Sequence, residues 1–331
     1  EAMKQTTTGN NNVGIGYDTL QANTTASHNT AVGANALLTN TTGADLTAVG
    51  SLALDANTTG SYGVAVGKGA LGANTTASNN TAVGTTSLLV NTTGSNNTAL
   101  GMEALKANTT AGNNTGLGYQ AAFANTTGEY NTAVGMKALV TNTTGIYNTA
   151  IGAQALRANT TASNNIAVGL NAMLVNTTGE KCTAVGTFAL DANTTGDYNT
   201  AIGFDALSNT STTNSNTAVG YSAGLANTTG ANNTVLGSVA LLSNTTASDN
   251  TALGKSALQA NTTGSKNTAV GANALDSNQT GHNNTAIGYL ALDKTLEDEN
   301  VAVGNYSLRE NTTGEYNTAV GYQALTKNET A

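Results

Sequence analysis

The 331-residue chain has no proline, no tryptophan and one cysteine, and only 4% of its residues are aromatic. So few bulky side chains exclude a thick globular core. Hydrophobic residues make up 39% of the chain, which is enough for a thin core. A disulfide within the chain is also excluded, because Cys182 has no second cysteine to pair with.

Charge is scarce as well. Charged residues make up 9% of the chain and the formal net charge is −8, which disfavours a nucleic-acid or anionic-membrane partner. No apolar run is long enough to span a bilayer. The sequence shows no signal peptide and both ends fall within a repeat, so we expect a mature fragment or the ordered part of a longer protein.

What the chain does have is a short repeat. The pentapeptide NTAVG occurs at 29–33, 80–84, 131–135, 216–220, 267–271 and 317–321. Its closing glycine recurs every 17 residues from Gly16 to Gly321, with one step of 16 between Gly288 and Gly304. A fixed short period over a whole chain is typical of a repeat architecture.

Coil positions are numbered from the closing glycine as position 0, and residues at one position in successive coils form a column. The consensus is G-x-x-A-L-x-A-N-T-T-G-x-x-N-T-A-V. The invariant glycine predicts a positive φ or a contact too close for a Cβ. Positions 14 and 16 are β-branched or apolar in every coil, which predicts a strand whose shared face is the interior. Leucine at position 4 is expected to fill that core from the opposite wall.

These features predict an all-β fold, a parallel β-solenoid (β-roll) of about 19 coils of 17 residues. Glycine, asparagine and threonine interrupt every segment that could form a stable helix. Each coil is expected to have one strand over positions 13–16, a short strand around 3–5, and a turn through NTTG. We predict a single continuous solenoid over 1–331, without caps and with irregular coils at 204–220 and 289–304.

Position 15 is predicted to face outward, yet it admits almost only alanine, which suggests that another surface lies close against it. We hypothesise that this column is a self-association face on which copies of the chain pack side by side. Alternatively, alanine faces inward and positions 14 and 16 meet the partner, or alanine packs against a neighbouring loop. The face comprises Ala31, Ala48, Ala65, Ala82, Ala99, Ala133, Ala150, Ala167, Ala184, Ala201, Ala218, Ala252, Ala269, Ala286, Ala302 and Ala319.

Asparagine at position 7 supports two hypotheses. Stacked asparagines form hydrogen-bonded ladders, which point inward. The Asn-x-Thr frame, which survives in NQT, NET and the shifted NTS at 209–211, also fits N-glycosylation, which needs an outward side chain. The residues are Asn23, Asn40, Asn57, Asn74, Asn91, Asn108, Asn125, Asn142, Asn159, Asn176, Asn193, Asn209, Asn227, Asn244, Asn261, Asn278, Asn311 and Asn328.

Variation is concentrated at positions 1, 2, 5, 11 and 12, the expected corners of the coil. Tyrosines there either cover the strand corners or form a recognition surface for a receptor or glycan. The recognition candidates at position 12 are Tyr62, Tyr130, Tyr147, Tyr198 and Tyr316.

Motifs such as NNIAVG at 164–169 and NVAVG at 300–304 place a small residue between two β-branched ones. In this the chain resembles the head repeats of YadA-like trimeric autotransporter adhesins, and similar repeats in phage tail fibres. The resemblance implies a left-handed parallel β-roll, trimeric assembly, and display outside the cell to bind host matrix or receptors. The coil of this chain is longer than the family's, and no neck, stalk or membrane anchor is visible.

An enzyme is disfavoured, because there is no Ser-His-Asp set and acidic residues are too sparse for a repeated carboxylate or metal site. No cofactor is expected. The sequence favours a non-enzymatic extracellular fibre or adhesin shaft, on a cell surface or virion, that self-associates as a lateral homo-oligomer, for example a trimer. A polymerising, glycan-coated filament is one alternative. An ice-binding solenoid is another. It would want two outward columns of threonine, whereas the threonines at positions 8 and 9 should point opposite ways and threonine at position 14 is expected to be buried.

Overall fold

The protein is described by a computed structural model that covers residues 1–328. It divides into two compact units, one of Glu1–Asn164 and one that begins at Asn165. The first unit contains β1 (Val13–Ile15), β2 (Thr30–Val32), β3 (Thr47–Val49), β4 (Val64–Val66), β5 (Thr81–Val83), β6 (Thr98–Leu100), β7 (Thr115–Leu117), β8 (Thr132–Val134) and β9 (Thr149–Ile151). The second contains β10 (Ile166–Val168), β11 (Thr183–Val185), β12 (Thr200–Ile202), β13 (Thr217–Val219), β14 (Thr234–Leu236), β15 (Thr251–Leu253), β16 (Thr268–Val270), β17 (Thr285–Ile287), β18 (Val301–Val303) and β19 (Thr318–Val320).

Successive strands within each unit pair in parallel, one coil apart and in register. Ala31 pairs with Ala48 in the first unit, and Ala184 pairs with Ala201 in the second. The 16-residue coil keeps this register, because Thr285 of β17 pairs with Val301 of β18. The predicted fold class, a parallel β-solenoid with a 17-residue coil, is confirmed. Its handedness and its continuity over 1–331 stay predictions.

The inward face of each strand is the opposite of the one predicted. All sixteen alanines of the predicted self-association face, from Ala31 to Ala319, are buried inside the chain at 0–3% exposure. The residues at positions 14 and 16 are half-buried or exposed, as the burial pattern of β8 shows. Because the alanine side chains point into the solenoid, they cannot form a surface for a partner.

The width of the interior explains this inversion. Leucines at position 4, such as Leu37 and Leu105, are fully buried. At Gly116, where position 15 has no side chain, a Cβ would lie 3.1 Å from Cγ of Leu105 in the same coil. Leucine therefore crosses most of the interior and leaves room for a methyl group on the strand opposite, and the larger β-branched residues face outward.

The predicted short strand around positions 3–5 does not form in the described coils. Positions 2 and 4 instead have positive φ, for example 60° at Glu103 and 50° at Leu105. A left-handed conformation costs an L-residue about 1–2 kcal/mol. Burying a leucine side chain contributes about 1.5–3 kcal/mol, which is enough to hold position 4 in this turn.

The glycine column behaves as predicted. Gly135 has a φ of +130°, and a Cβ there would lie only 2.5 Å from the carbonyl oxygen of Gly152 in the next coil. The corners of successive coils therefore stack backbone on backbone. Any side chain at position 0 would push them apart.

We predict that Gly135→Ala lowers the free energy of unfolding by at least about 3 kcal/mol, because the new methyl group meets backbone atoms that cannot move independently. Gly72→Ala is the control, since its Cβ would lie no closer than 3.3 Å to Leu89. That variant should change stability by less than about 1 kcal/mol. Equal unfolding midpoints in a denaturant titration of the two variants would contradict the stacking argument.

Candidate functional site: the asparagine ladders and the outward strip

Asparagines at position 7 form the predicted ladder. Asn57 is fully buried, and its Nδ2 donates to Oδ1 of Asn40 in the preceding coil at 2.8 Å and to the Gly60 carbonyl at 3.0 Å. The second unit repeats the arrangement, with Nδ2 of Asn193 donating to Oδ1 of Asn176 at 2.8 Å. The amides thus satisfy the polar turn from within and bind each coil to the one before it.

A second ladder, which sequence reasoning missed, occupies position 13. Oδ1 of Asn80 accepts the backbone N–H of Asn97 in the next coil at 2.9 Å, and Nδ2 of Asn97 donates to the Ala111 carbonyl at 2.9 Å. Both ladders converge on the carbonyl at position 10. The sequence did contain a signal for this second ladder, because asparagine recurs at position 13 with few exceptions.

The ladder excludes the glycosylation hypothesis at position 7. An N-linked glycan is carried by Nδ2 of asparagine, the same atom that donates inside the coil. Asn108, for example, is fully buried and donates from Nδ2 to Asn91 and to the Ala111 carbonyl, at 2.9 Å in both cases. A glycan at this position is incompatible with the folded coil.

Asn209 is the one member of the predicted set that leaves this column. It is exposed, and Thr210 takes the buried place at position 7. Nδ2 of Asn227 donates to Oγ1 of Thr210 at 3.4 Å, whereas Oδ1 of Asn193 has no hydrogen-bond partner. The shifted NTS frame is therefore an interruption of the ladder. In the other irregular coil Thr295 is buried at the same place.

The outward strip consists, in each unit, of the side chains at positions 14 and 16 of its strands. Each side chain lies beside its equivalent in the next coil, as Thr98 pairs with Thr115 and Leu100 with Leu117. Leu100 and Leu117 are 45% and 36% exposed. From β11 to β17 position 14 is threonine in seven consecutive strands of the second unit. The strip is thus an exposed, uncharged surface with one regular repeat.

The five recognition candidates at position 12 are exposed, but they do not gather into one site. Tyr130 and Tyr147 stack with ring centroids 5.1 Å apart, and Lys181 lies over the ring of Tyr198 at 5.0 Å. Tyr62 and Tyr316 make no ring contact with another described aromatic residue. Their role in recognition stays a prediction.

Residues 1–328 contain no group of three or more histidine, cysteine, aspartate or glutamate side chains that could hold a metal ion. Burial raises the pKa of two half-buried carboxyl groups among them, Asp191, to which Ser208 Oγ donates at 2.6 Å, and Asp276, where the charge of Asp293 acts in the same direction. None of the described residues belongs to a helix that could cross a membrane.

Cys182 occupies the second ladder as a poor substitute for asparagine. Its Sγ lies 3.2 Å from the Gly196 carbonyl oxygen, and the Asn199 backbone N–H donates to Sγ at 3.5 Å. Burial is the main reason that the pKa of its thiol is raised to about 11. The native thiol should therefore be unreactive as well as weakly bonded.

We predict that Cys182→Asn raises the free energy of unfolding by about 1 kcal/mol, because an amide replaces a weak donor and acceptor in the ladder. Cys182→Ala, which removes both functions, should lower it. Denaturant titrations measure the order, and thiol-reagent kinetics on the unchanged protein should show reaction only on unfolding. A Cys182→Asn variant less stable than Cys182→Ala would overturn this account of the ladder.

No protein-family model matches the chain, and no curated protein does.

Proposed function

We propose that the chain is a non-enzymatic structural segment of an extracellular fibre or adhesin shaft, whose copies associate side by side through the outward strip. The observation that supports this most is the composition of that strip. Position 16 is valine, isoleucine or leucine and position 14 is threonine, valine or isoleucine in all nineteen strands. A sheet face that meets only water normally carries charged residues, and here every charge lies elsewhere.

The size of the strip fits a contact surface. Nine strands spaced about 4.8 Å apart, with two columns spanning about 10 Å, present roughly 400 Å² in the first unit. Three consecutive coils widen it locally beyond the glycine corner, through the exposed apolar residues Met102, Tyr119 and Met136 at position 1. The largest apolar patch on a monomer is commonly of this size and is often functional.

A second copy of the chain is the partner that the strip fits best. Its side chains repeat at the coil spacing, so an identical strip meets them with the same repeat along its whole length. The acidic side chains lie on the turns, outside the strip, so two strips can approach without burying like charges. The extracellular setting is supported by the resemblance to adhesin head repeats and stays part of the proposal.

The test is to place charge on the strip. Leu100→Lys with Leu117→Lys puts two cations on adjacent strands whose side chains already face outward, so the coil should still fold. The matched control is Asn96→Lys with Asn113→Lys, at position 12 of the same two coils, where Lys181 and Lys266 occur naturally. Sedimentation equilibrium should show an oligomer of the 32.9 kDa chain, weakened at least tenfold, or about 1.4 kcal/mol, by the strip variant only. A monomeric wild-type chain, or equal weakening by the control, would refute lateral association.

Ice binding is a second candidate, because threonine at position 14 is not buried as expected, although the strip has one threonine column and not two. Threonines at position 14 face outward, and those of β11 to β17 form an unbroken column beside a column of valine, isoleucine and leucine. Such a surface offers hydroxyl and methyl groups to ordered water at a spacing of about 4.8 Å.

This candidate predicts a gap between the melting and freezing temperatures of ice in a solution of the protein. Thr217→Lys with Thr234→Lys should abolish the gap, because two flexible cations interrupt the column. Ser215→Lys, at the position 12 corner of the same unit, should leave it intact. A wild-type solution with no gap would exclude ice binding and leave lateral association untouched.

A further inference from the structure

The first unit contains a cavity of about 310 Å³ that is open to solvent on the turn side of three consecutive coils. It is lined by Leu52, Asp55, Gly69, Gly72, Ala73, Leu89 and Val90. The middle coil contributes Gly69 at position 2 and Gly72 at position 5. The coils on either side carry Leu52 and Asp55, and Thr86 and Leu89, at the same positions.

The backbone does not require these two glycines. Gly69 has a φ of 63°, which Leu52 and Glu103 adopt at the same position with values of 59° and 60°. A Cβ at Gly69 would meet Leu89 at 3.4 Å, and one at Gly72 would meet Leu89 and Asp55 at 3.3 and 3.4 Å. These contacts are with side chains and are longer than the contact at position 0, where a Cβ at Gly135 would lie 2.5 Å from a backbone oxygen. No other coil has glycine at position 2 or position 5. Because Gly69 and Gly72 have no side chains, they leave an open space one coil wide.

The side chains that line this space are apolar, with one acidic group. Leu52, Leu89 and Val90 supply apolar surface, and Leu52 and Val90 are themselves exposed. The carboxylate of Asp55 is the one charged group of the lining, and it forms no ion pair with a described residue. Burial raises the pKa of Asp55 against the effect of the backbone N–H groups of Asp55 and Ala56. A cation at this wall would replace the water that the carboxylate has lost.

We propose that the cavity binds a lysine side chain presented by a partner protein, with the butyl stem against Leu52, Leu89 and Val90 and the ammonium group on the Asp55 carboxylate. A lysine side chain combines an apolar stem with a compact terminal charge, which is the combination that the walls offer. The cavity opens directly to the surface, so the backbone of a partner could remain outside.

Other cations fit less well. Ca²⁺ takes six to eight oxygen ligands and Mg²⁺ an octahedral set, whereas the lining supplies one carboxylate. A guanidinium group is best held by two acceptors in one plane, and the Asp55 carboxylate already accepts from the backbone. A single ammonium group needs only one good acceptor here and can direct its other donors to water.

The probe for the test is Nα-acetyl-lysine N-methylamide, which carries the side chain without the charges of the free amino acid. Saturation-transfer difference NMR on the full chain should give a dissociation constant in the range of about 1–10 mM. Gly72→Leu, which copies Leu38 and Leu89 at the same position, should weaken binding at least tenfold because it fills the cavity. Gly69→Gln, which copies Gln120 and Gln154, fills it in a second way.

Asp55→Asn should also weaken binding at least fivefold, whereas Asp276→Asn, at position 5 of a coil outside this cavity, should not change it. Circular dichroism and the unfolding midpoint of each variant show whether it has folded. Failure of the probe to bind the wild-type chain, or undiminished binding to folded Gly72→Leu and Gly69→Gln, would overturn the proposal. Tighter binding of free 1,4-diaminobutane than of the lysine probe would overturn the assignment to a protein partner.

Discussion

The narrow interior is the constraint on which the rest of the structure depends. A leucine from one wall reaches nearly to the strand opposite, so that strand can contribute little more than a methyl group. Gly116 shows how small the remaining space is, since even a Cβ there would lie 3.1 Å from Leu105. The column of alanine at position 15, which only Gly14, Gly116 and Val235 interrupt, and the outward β-branched residues both follow from this narrow interior.

Polar side chains add contacts between successive coils, which the thin apolar interior provides only in part. Two asparagine ladders run inside each unit, and both deliver N–H donors to the carbonyl at position 10. In the first unit, Nδ2 of Asn29 and Nδ2 of Asn40 each donate to the Gly43 carbonyl at 2.9 Å. Because each amide also contacts a neighbouring coil, the polar interior links coils as directly as the strands do. Cys182 and Thr210 are informative because they interrupt this continuity without disturbing the strand register.

The sequence predicted the coil length, the fold class and the glycine corner, because each is visible as a column repeated at a fixed period. The inward asparagine ladder was one of two hypotheses for position 7, beside glycosylation. The prediction of which face of the strand points into the solenoid was wrong. A period of two separates the faces of a strand but does not say which one is inside, and the usual preference for burying valine pointed the wrong way. The turn around Leu105 was also missed, since leucine seldom adopts a positive φ. The cavity could have been found by comparing columns, because Gly69 and Gly72 stand out at positions where no other coil has glycine.

The ladders also affect the deamidation of the asparagines that form them. Asparagine deamidates when the backbone nitrogen of the following residue attacks the side-chain carbonyl carbon. After Asn40 and Asn57 that nitrogen belongs to Thr41 and Thr58, and it donates a hydrogen bond to the threonine carbonyl of the next coil at 3.0 and 2.8 Å. The side-chain amide is held at the same time by its own ladder contacts, so nucleophile and electrophile are both restrained. The folded state thereby restrains deamidation at the ladder asparagines, where the reacting atoms are held apart in hydrogen bonds.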